Sequence, residues 1–102
     1  MKKTLLTAAL EIVQPMTAHA GAPRDAGKTF AQITACHIAR KLDRDEKVAA
    51  DFAVIKKYKI AKKGDWWKGR MEDGKREEFK RLNKTNDLEL GIMCGIIKNK
   101  WT

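Results

Sequence analysis

Hydrophobic and polar positions alternate with helical spacing along most of this chain. No run of strict apolar–polar alternation and no two-residue hairpin signal stands out, so the pattern predicts an all-α protein. We expect a small bundle of about four helices in a single domain, 29–102. The predicted helices cover about 29–42, 45–59, 65–83 and 86–100.

Helix starts are marked by short polar signatures. A Ser, Thr, Asp or Asn side chain can accept a hydrogen bond from the first turn, and a Glu or Gln three residues later can return one. The chain places such signatures before three of the predicted helices, at Thr29-x-x-Gln32, at Asp43-x-x-Glu46 and at Thr85 or Asn86. Gly74 lies inside the third helix and predicts a weak point there.

Apolar spacing predicts which helix faces are buried. Val48, Phe52 and Ile55 recur at helical intervals and predict the buried stripe of the second helix. In the third helix, Trp67 falls on the apolar face, whereas Trp66 falls off it and is expected to be exposed.

The last helix is apolar nearly all round, which is typical of a central, buried helix. It also carries Gly91 and Gly95, four residues apart. That spacing predicts a face on which another helix packs closely.

The first twenty residues have the features of an export signal. A charged start, Lys2 and Lys3, is followed by a short apolar stretch, 5–10, and by an A-x-A sequence that ends at Ala20. Cleavage after Ala20 would leave a small, polar and flexible segment, 21–28, ahead of the folded domain. Glu11 weakens this interpretation, and the alternative is an amphipathic N-terminal helix of a cytoplasmic protein.

Cys36 and Cys94 are the only cysteines, one in the first predicted helix and one in the last. An even number of cysteines in a short exported chain favours a structural disulfide, which would contribute up to about 4 kcal/mol to so small a core. The alternatives are two free buried thiols, or a metal site that also uses His37.

The chain is strongly basic, with 22 Lys and Arg against 13 Asp and Glu. Cations and tryptophans are concentrated over 56–70, a composition that suits anionic polymers or lipids because cations neutralise charge and flat rings stack. The alternative is a solvated turn whose lysines only keep the protein soluble. The predicted anion-binding residues are Lys56, Lys57, Lys59, Lys62, Lys63, Trp66, Lys68 and Arg70.

Several catalytic motifs are missing. The chain has no serine, which excludes Ser-His-Asp catalysis, and it has no phosphate-binding glycine loop. His37 is the only histidine after residue 20, so multi-histidine metal sites are excluded. Its carboxylates are better explained as helix caps and surface ion pairs than as a catalytic pair. We therefore expect no enzymatic activity, cofactor or metal.

The arrangement of signal, paired Cys36 and Cys94 and helical middle resembles that of the small periplasmic acid-stress chaperones of enteric bacteria. The resemblance would imply a protein that loosens in acid, exposes apolar surface and holds unfolding clients. It rests on layout alone and assigns no residue a role. The high positive charge is a departure from the family.

The preferred hypothesis is a periplasmic or secreted, non-enzymatic protein that binds a protein partner or an anionic envelope component. No stretch after residue 20 is long and apolar enough for a membrane span. A basic cytoplasmic nucleic-acid-binding protein is the main alternative, since export would make nucleic acid an improbable partner. A small enzyme that uses acidic residues is a third hypothesis.

Overall fold

The protein is described by a computed structural model that gives the backbone of residues 4–102 and the side chains of residues 21–102. It consists of α1 (Thr4–Ile38), α2 (Arg44–Tyr58), α3 (Asp65–Leu82) and α4 (Asp87–Trp101), with a single 3-10 turn, Ile60–Lys62, between α2 and α3. The all-α class and the four helices predicted from the pattern are confirmed, and the described residues contain no strand.

Two of the predicted caps are confirmed. Asp43 and Glu46 form a reciprocal capping box at the start of α2: the Asp43 carboxylate accepts from the Glu46 N–H at 2.8 Å, and the Glu46 carboxylate accepts from the Asp43 N–H at 2.9 Å. At the start of α4, the Asn86 side chain accepts from the Glu89 N–H at 2.8 Å. These bonds satisfy amide groups that a helix leaves unpaired at its N-terminus.

The predicted cap at Thr29 is wrong. Thr29 lies inside α1, where its hydroxyl donates to the Asp25 carbonyl at 2.9 Å, and α1 already includes residues 21–28. The expected flexible segment is therefore helical, and its Pro23 and Ala26 are fully buried. Small residues are typical of a loop in the sequence, but here they let α1 lie close to another helix.

The close contact is between α1 and α3, and we call it the α1–α3 seam. A Cβ added at Gly27 would lie 2.8 Å from the Lys75 backbone nitrogen, and one added at Gly74 would lie 2.8 Å from the Arg24 Cα. Real Cβ atoms do not approach backbone so closely, so both positions require glycine. Gly74 does not interrupt α3, which continues unbroken past it.

Cys36 and Cys94 form a disulfide, with their Cα atoms 5.6 Å apart. That distance lies within the range a disulfide can span. The bond joins α1 to α4 and lies in the apolar core, where both cysteines are buried. The predicted bridge is confirmed, and the alternatives with free thiols or a metal-bound cysteine pair are wrong.

The buried stripe predicted for α2 is wrong. Phe52 is 67% exposed and Val48 49% exposed, whereas Ala50 and Val54 are fully buried. The inner face of α2 carries the smaller side chains, because α2 lies close against its neighbours. Its larger apolar side chains point outward instead.

The prediction that α4 is central and buried all round is also wrong. One face, which includes Cys94 and Ile97, lies in the core, but Leu88, Ile92 and Ile96 on the other face are exposed. A Cβ added at Gly91 or Gly95 would have nothing within 4 Å, so these glycines do not provide the predicted close contact among the residues that the structure describes.

Candidate functional site

The eight predicted anion-binding residues lie where α2 ends, the 3-10 turn follows and α3 begins. Lys59 ends α2 in a left-handed conformation (φ 53°), and its N–H donates to the carbonyls of Ile55 and Lys56. Ile60, directly after it, is buried and fixes the turn to the core. The set, called here the basic end, comprises Lys56, Lys57, Lys59, Lys62, Lys63, Trp66, Lys68 and Arg70.

Most of the basic end faces solvent. Its lysines are exposed apart from Lys63, which is half-buried, as is Arg70. Trp66 is 68% exposed, whereas Trp67 packs against the core, so the contrast predicted for the two tryptophans is confirmed. An exposed tryptophan among lysines gives this end both cations and a flat apolar ring.

Aromatic rings beneath the lysines hold part of the basic end in place. The Lys63 ammonium lies 5.4 Å from the centroid of the Trp67 ring, and the Tyr58 and Trp67 rings are 6.2 Å apart. Cations at that distance are attracted to the ring face. Burial, and then the negative charge of Asp25, raises the pKa of the Tyr58 phenol. Tyr58 therefore stays neutral and adds no negative charge here.

Two neighbours of the basic end were missed by the sequence analysis. The Lys57 ammonium lies 5.3 Å from the centroid of Trp101, and the Lys100 ammonium lies 5.1 Å from the same ring. Both Lys100 and Trp101 come from the end of α4, far from Lys57 in the sequence. Nothing local in the pattern signals that contact, because it depends on how the helices pack.

The lysines of the basic end stand out by their lack of partners. Within residues 21–102, none of its six lysines forms an ion pair with a carboxylate, and Arg70 alone has one, with Asp73 at 3.7 Å. Asp65 is the one acidic residue in the sequence 56–70. The N-terminus of α3, at Gly64, has no side-chain cap and adds its partial positive charge to the same region.

In the seam, by contrast, charged side chains lie beside partners of opposite charge. Glu78 is buried, and both its oxygens accept from the Arg81 guanidinium, at 2.8 and 2.7 Å. Gln32 of α1 donates to the same carboxylate at 2.6 Å. Arg81 first, and Gln32 after it, hold the pKa of Glu78 below its usual value, although burial opposes them. Arg24 of α1 and Glu77 of α3 add a more exposed pair at 3.1 Å.

The remaining candidates for chemistry are accounted for by structural contacts. The His37 Nδ1 lies 3.1 Å from the Leu42 carbonyl oxygen, at the end of α1. Four acidic residues of α3 form ion pairs along or across the helices: Glu72, Asp73, Glu77 and Glu78. No group of three His, Cys, Asp or Glu within the described side chains is placed to hold a metal ion.

Two apolar surfaces are exposed among the described side chains. The α2 outer face, Val48, Phe52 and Ile55, borders an open groove of about 550 Å³ whose lining includes Lys56 of the basic end. The α4 outer face consists of Leu88, Gly91, Ile92, Gly95 and Ile96, and its three large side chains are 59–73% exposed. None of the helices in the described part of the chain is long and apolar enough to cross a membrane.

The chain matches no protein-family model, no curated protein and no solved structure.

Proposed function

We propose that this chain is an exported, non-enzymatic binding protein whose basic end binds an anionic component of the cell envelope. The observation that carries this proposal is the set of six lysines around the exposed Trp66, none of which has a carboxylate partner among the side chains of residues 21–102. Unpaired like charges repel one another and lower stability, so such a cluster is typical of a surface that meets an anionic partner.

The proposed location in the periplasm or outside the cell rests on the signal-like residues 1–20 and on the disulfide. The prediction of a signal falls on residues whose side chains lie outside the described part of the structure. The Cys36–Cys94 disulfide supports the location, because such bonds persist in oxidising compartments and are rare in the cytosol. In that setting phosphate-bearing lipid headgroups are an abundant anionic surface.

An anionic lipid surface suits the basic end for a second reason. Trp66 can enter the interface between headgroups and acyl chains, where amphipathic rings are favoured. Phe52 and Ile55 of the α2 outer face are exposed beside Lys56, so apolar and cationic groups face the same side of α2. A soluble polyanion would use the lysines and leave these apolar groups in water.

The test is binding of the oxidised protein to vesicles of phosphatidylcholine with and without phosphatidylglycerol, by co-sedimentation. We expect binding to the anionic vesicles that weakens with salt, and little binding to the neutral ones. A triple variant, Lys56→Gln, Lys59→Gln and Lys62→Gln, should lose affinity by about two orders of magnitude, since each lysine near such a surface contributes about 1 kcal/mol.

The matched control removes the same charge elsewhere. Lys41, Lys80 and Lys84 are exposed and lie outside the basic end, so replacing all three by Gln should have a much smaller effect. Equal losses from the two triple variants would show that net charge alone drives binding and would overturn the site. Tighter binding to a short RNA duplex than to vesicles, at equal phosphate concentration and salt, would favour the nucleic-acid-binding alternative.

Binding of a protein partner is the second candidate, favoured by the exposed Phe52 and Ile55. The acid-stress-chaperone-like function belongs here, since it needs apolar surface for unfolding clients. We expect Phe52→Gln to weaken suppression of client aggregation in acid if this candidate holds. Suppression that Phe52→Gln leaves unchanged would remove the α2 outer face as the client surface.

A further inference from the structure

The α4 outer face is a second uncovered surface, separate from the basic end. Leu88 is 73% exposed, Ile92 59% and Ile96 60%, and residues 90–97 contain no charged side chain. Several large exposed apolar side chains on one helix face mark a surface that is covered in the working state of a protein. Scattered single exposures would need no such explanation.

The same face has two shallow depressions, one at each of two glycines. Gly91 and Gly95 lie beside the apolar side chains, and a Cβ at either position would meet nothing within 4 Å. They are therefore not required by any contact within residues 21–102, although each costs the helix about 1 kcal/mol relative to alanine. Side chains of another helix can enter the shallow depressions that glycines leave between larger neighbours.

The two ends of α4 carry opposite charges. Asp87 and Glu89 lie in its first turn, and Lys98 and Lys100 in its last. We propose that two copies of this chain associate through their α4 outer faces as an antiparallel pair, related by a two-fold axis between Ile92 and Gly95. The occupant of the uncovered face is thus a second copy of the same face.

The antiparallel register matches both the shapes and the charges. It places Ile92 against the partner's Gly95 and Ile96 against the partner's Gly91. Each large side chain then enters the depression that a glycine leaves. On one flank Glu89 faces the partner's Lys100, and on the other Asp87 faces the partner's Lys98. Lys98 also pairs with Glu46 of α2 in its own chain at 3.0 Å, so its ammonium is shared on this flank and the unshared pair is the one between Glu89 and the partner's Lys100.

A parallel pair would have none of these advantages. It would place the acidic first turns side by side and the basic last turns side by side, which repels at both ends. The two-fold antiparallel arrangement is also self-complementary, as the interface of a symmetric dimer must be. Charge complementarity therefore favours a second copy of this chain, in the antiparallel orientation, over a partner that has only an apolar surface.

The test is sedimentation equilibrium of the oxidised protein over a wide concentration range. We expect a reversible monomer–dimer equilibrium. Gly95→Gln should weaken association about tenfold or more, because the added side chain fills the depression that the partner's Ile92 would enter. The same change should raise the melting temperature of the monomer, since the added Cβ meets nothing among the described residues and favours the helix.

Gly69→Gln is the matched control. Gly69 is also a helical glycine with nothing within 4 Å of its Cβ position, but it lies on α3, away from the α4 outer face. We expect it to raise the melting temperature and to leave association unchanged. A wild-type protein that stays monomeric at all concentrations, or equal effects of the two glycine variants on association, would overturn the proposal.

A charge swap tests the orientation. Glu89→Lys should weaken self-association, and so should Lys100→Glu in a separate variant. Mixing the two variants should restore a dimer, now of one copy of each, with an affinity near that of the wild type. A parallel pair predicts no weakening by the first change, because its first turns already repel, and that result would overturn the antiparallel arrangement.

Discussion

The α1–α3 seam and the basic end differ in whether their charged side chains have partners of opposite charge. In the seam, Arg24 and Arg81 each meet a carboxylate, and two glycines bring the helix backbones into contact. At the basic end, six lysines crowd around a turn without a carboxylate partner among the described side chains. The seam therefore contributes to stability, whereas the basic end reduces it through repulsion between like charges.

This difference separates residues that maintain the fold from residues that are free to bind. Changes in the seam should unfold the protein, and changes at the basic end should alter binding with little effect on folding.

The seam should be most sensitive at its glycines. Gly74→Ala should destabilise the protein by about 3 kcal/mol or more, because the new Cβ would overlap the backbone of Arg24 and force the helices apart. Gly69→Ala in the same helix is the control and should stabilise by up to about 1 kcal/mol. Urea unfolding measures both, and equal stabilities for the two variants would show that the seam is not closely packed.

Loss of the disulfide should destabilise the protein about as much as a change at the seam glycines. Reducing Cys36–Cys94 should lower stability by up to about 4 kcal/mol, since the bond closes a long loop in the unfolded chain. Cys94→Ala should lower the melting temperature sharply in oxidising buffer and little in reducing buffer. Identical melting temperatures of the wild type with and without reductant would contradict a structural bond.

Glu78 should make the seam sensitive to acid. Its folded pKa lies below the usual 4.5, so its contribution is present above that pH and is lost as pH falls through the lower, folded value. Glu78→Gln should cost about 1–3 kcal/mol near neutral pH, because it leaves Arg81 and Gln32 poorly paired, and the difference from wild type should shrink in acid. Chemical denaturation at pH 7 and pH 3 measures it.

Glu77→Gln provides the comparison for Glu78. Its pair with Arg24 is half-exposed, so we expect a cost below about 1 kcal/mol at neutral pH. A cost as large as that of Glu78→Gln would mean that burial does not set the strength of the seam pairs.

The basic end should show the smallest effect on stability. Lys62→Gln should change the free energy of unfolding by no more than about 0.5 kcal/mol, in the stabilising direction, because it removes repulsion. Arg81→Gln removes one positive charge from the seam and should destabilise instead. Thermal unfolding at low salt compares the two, and a destabilised Lys62→Gln would show that the lysine has a structural role.

The sequence predicts the fold class well, because helical periodicity and polar caps are local. The Asp43–Glu46 box and the Asn86 cap are signalled within four residues of each helix start, and both are found. The Cys36–Cys94 bridge also follows from a simple count, since the chain offers one possible pair.

The sequence does not predict which helix faces pack against each other. Phe52 looks like core by its spacing, yet the small Ala50 face packs inward, because the space beside α2 is set by neighbouring helices. The close helix contact predicted at Gly91 and Gly95 is misplaced for the same reason: a Cβ at Gly27 or Gly74 would meet backbone, whereas one at Gly91 or Gly95 would meet nothing among the described residues. Lys100 and Trp101 join the surroundings of the basic end only through packing.

The interpretation of the basic end as an envelope-binding surface depends on where the chain works. The most direct test is the intact mass of the protein recovered from the envelope fraction of its source cells, without reductant. We predict a chain that begins at Gly21 and is lighter than the dithiol form by the two hydrogens lost in the Cys36–Cys94 bond. A chain that retains Met1, found in the cytosol with both thiols free, would contradict the account.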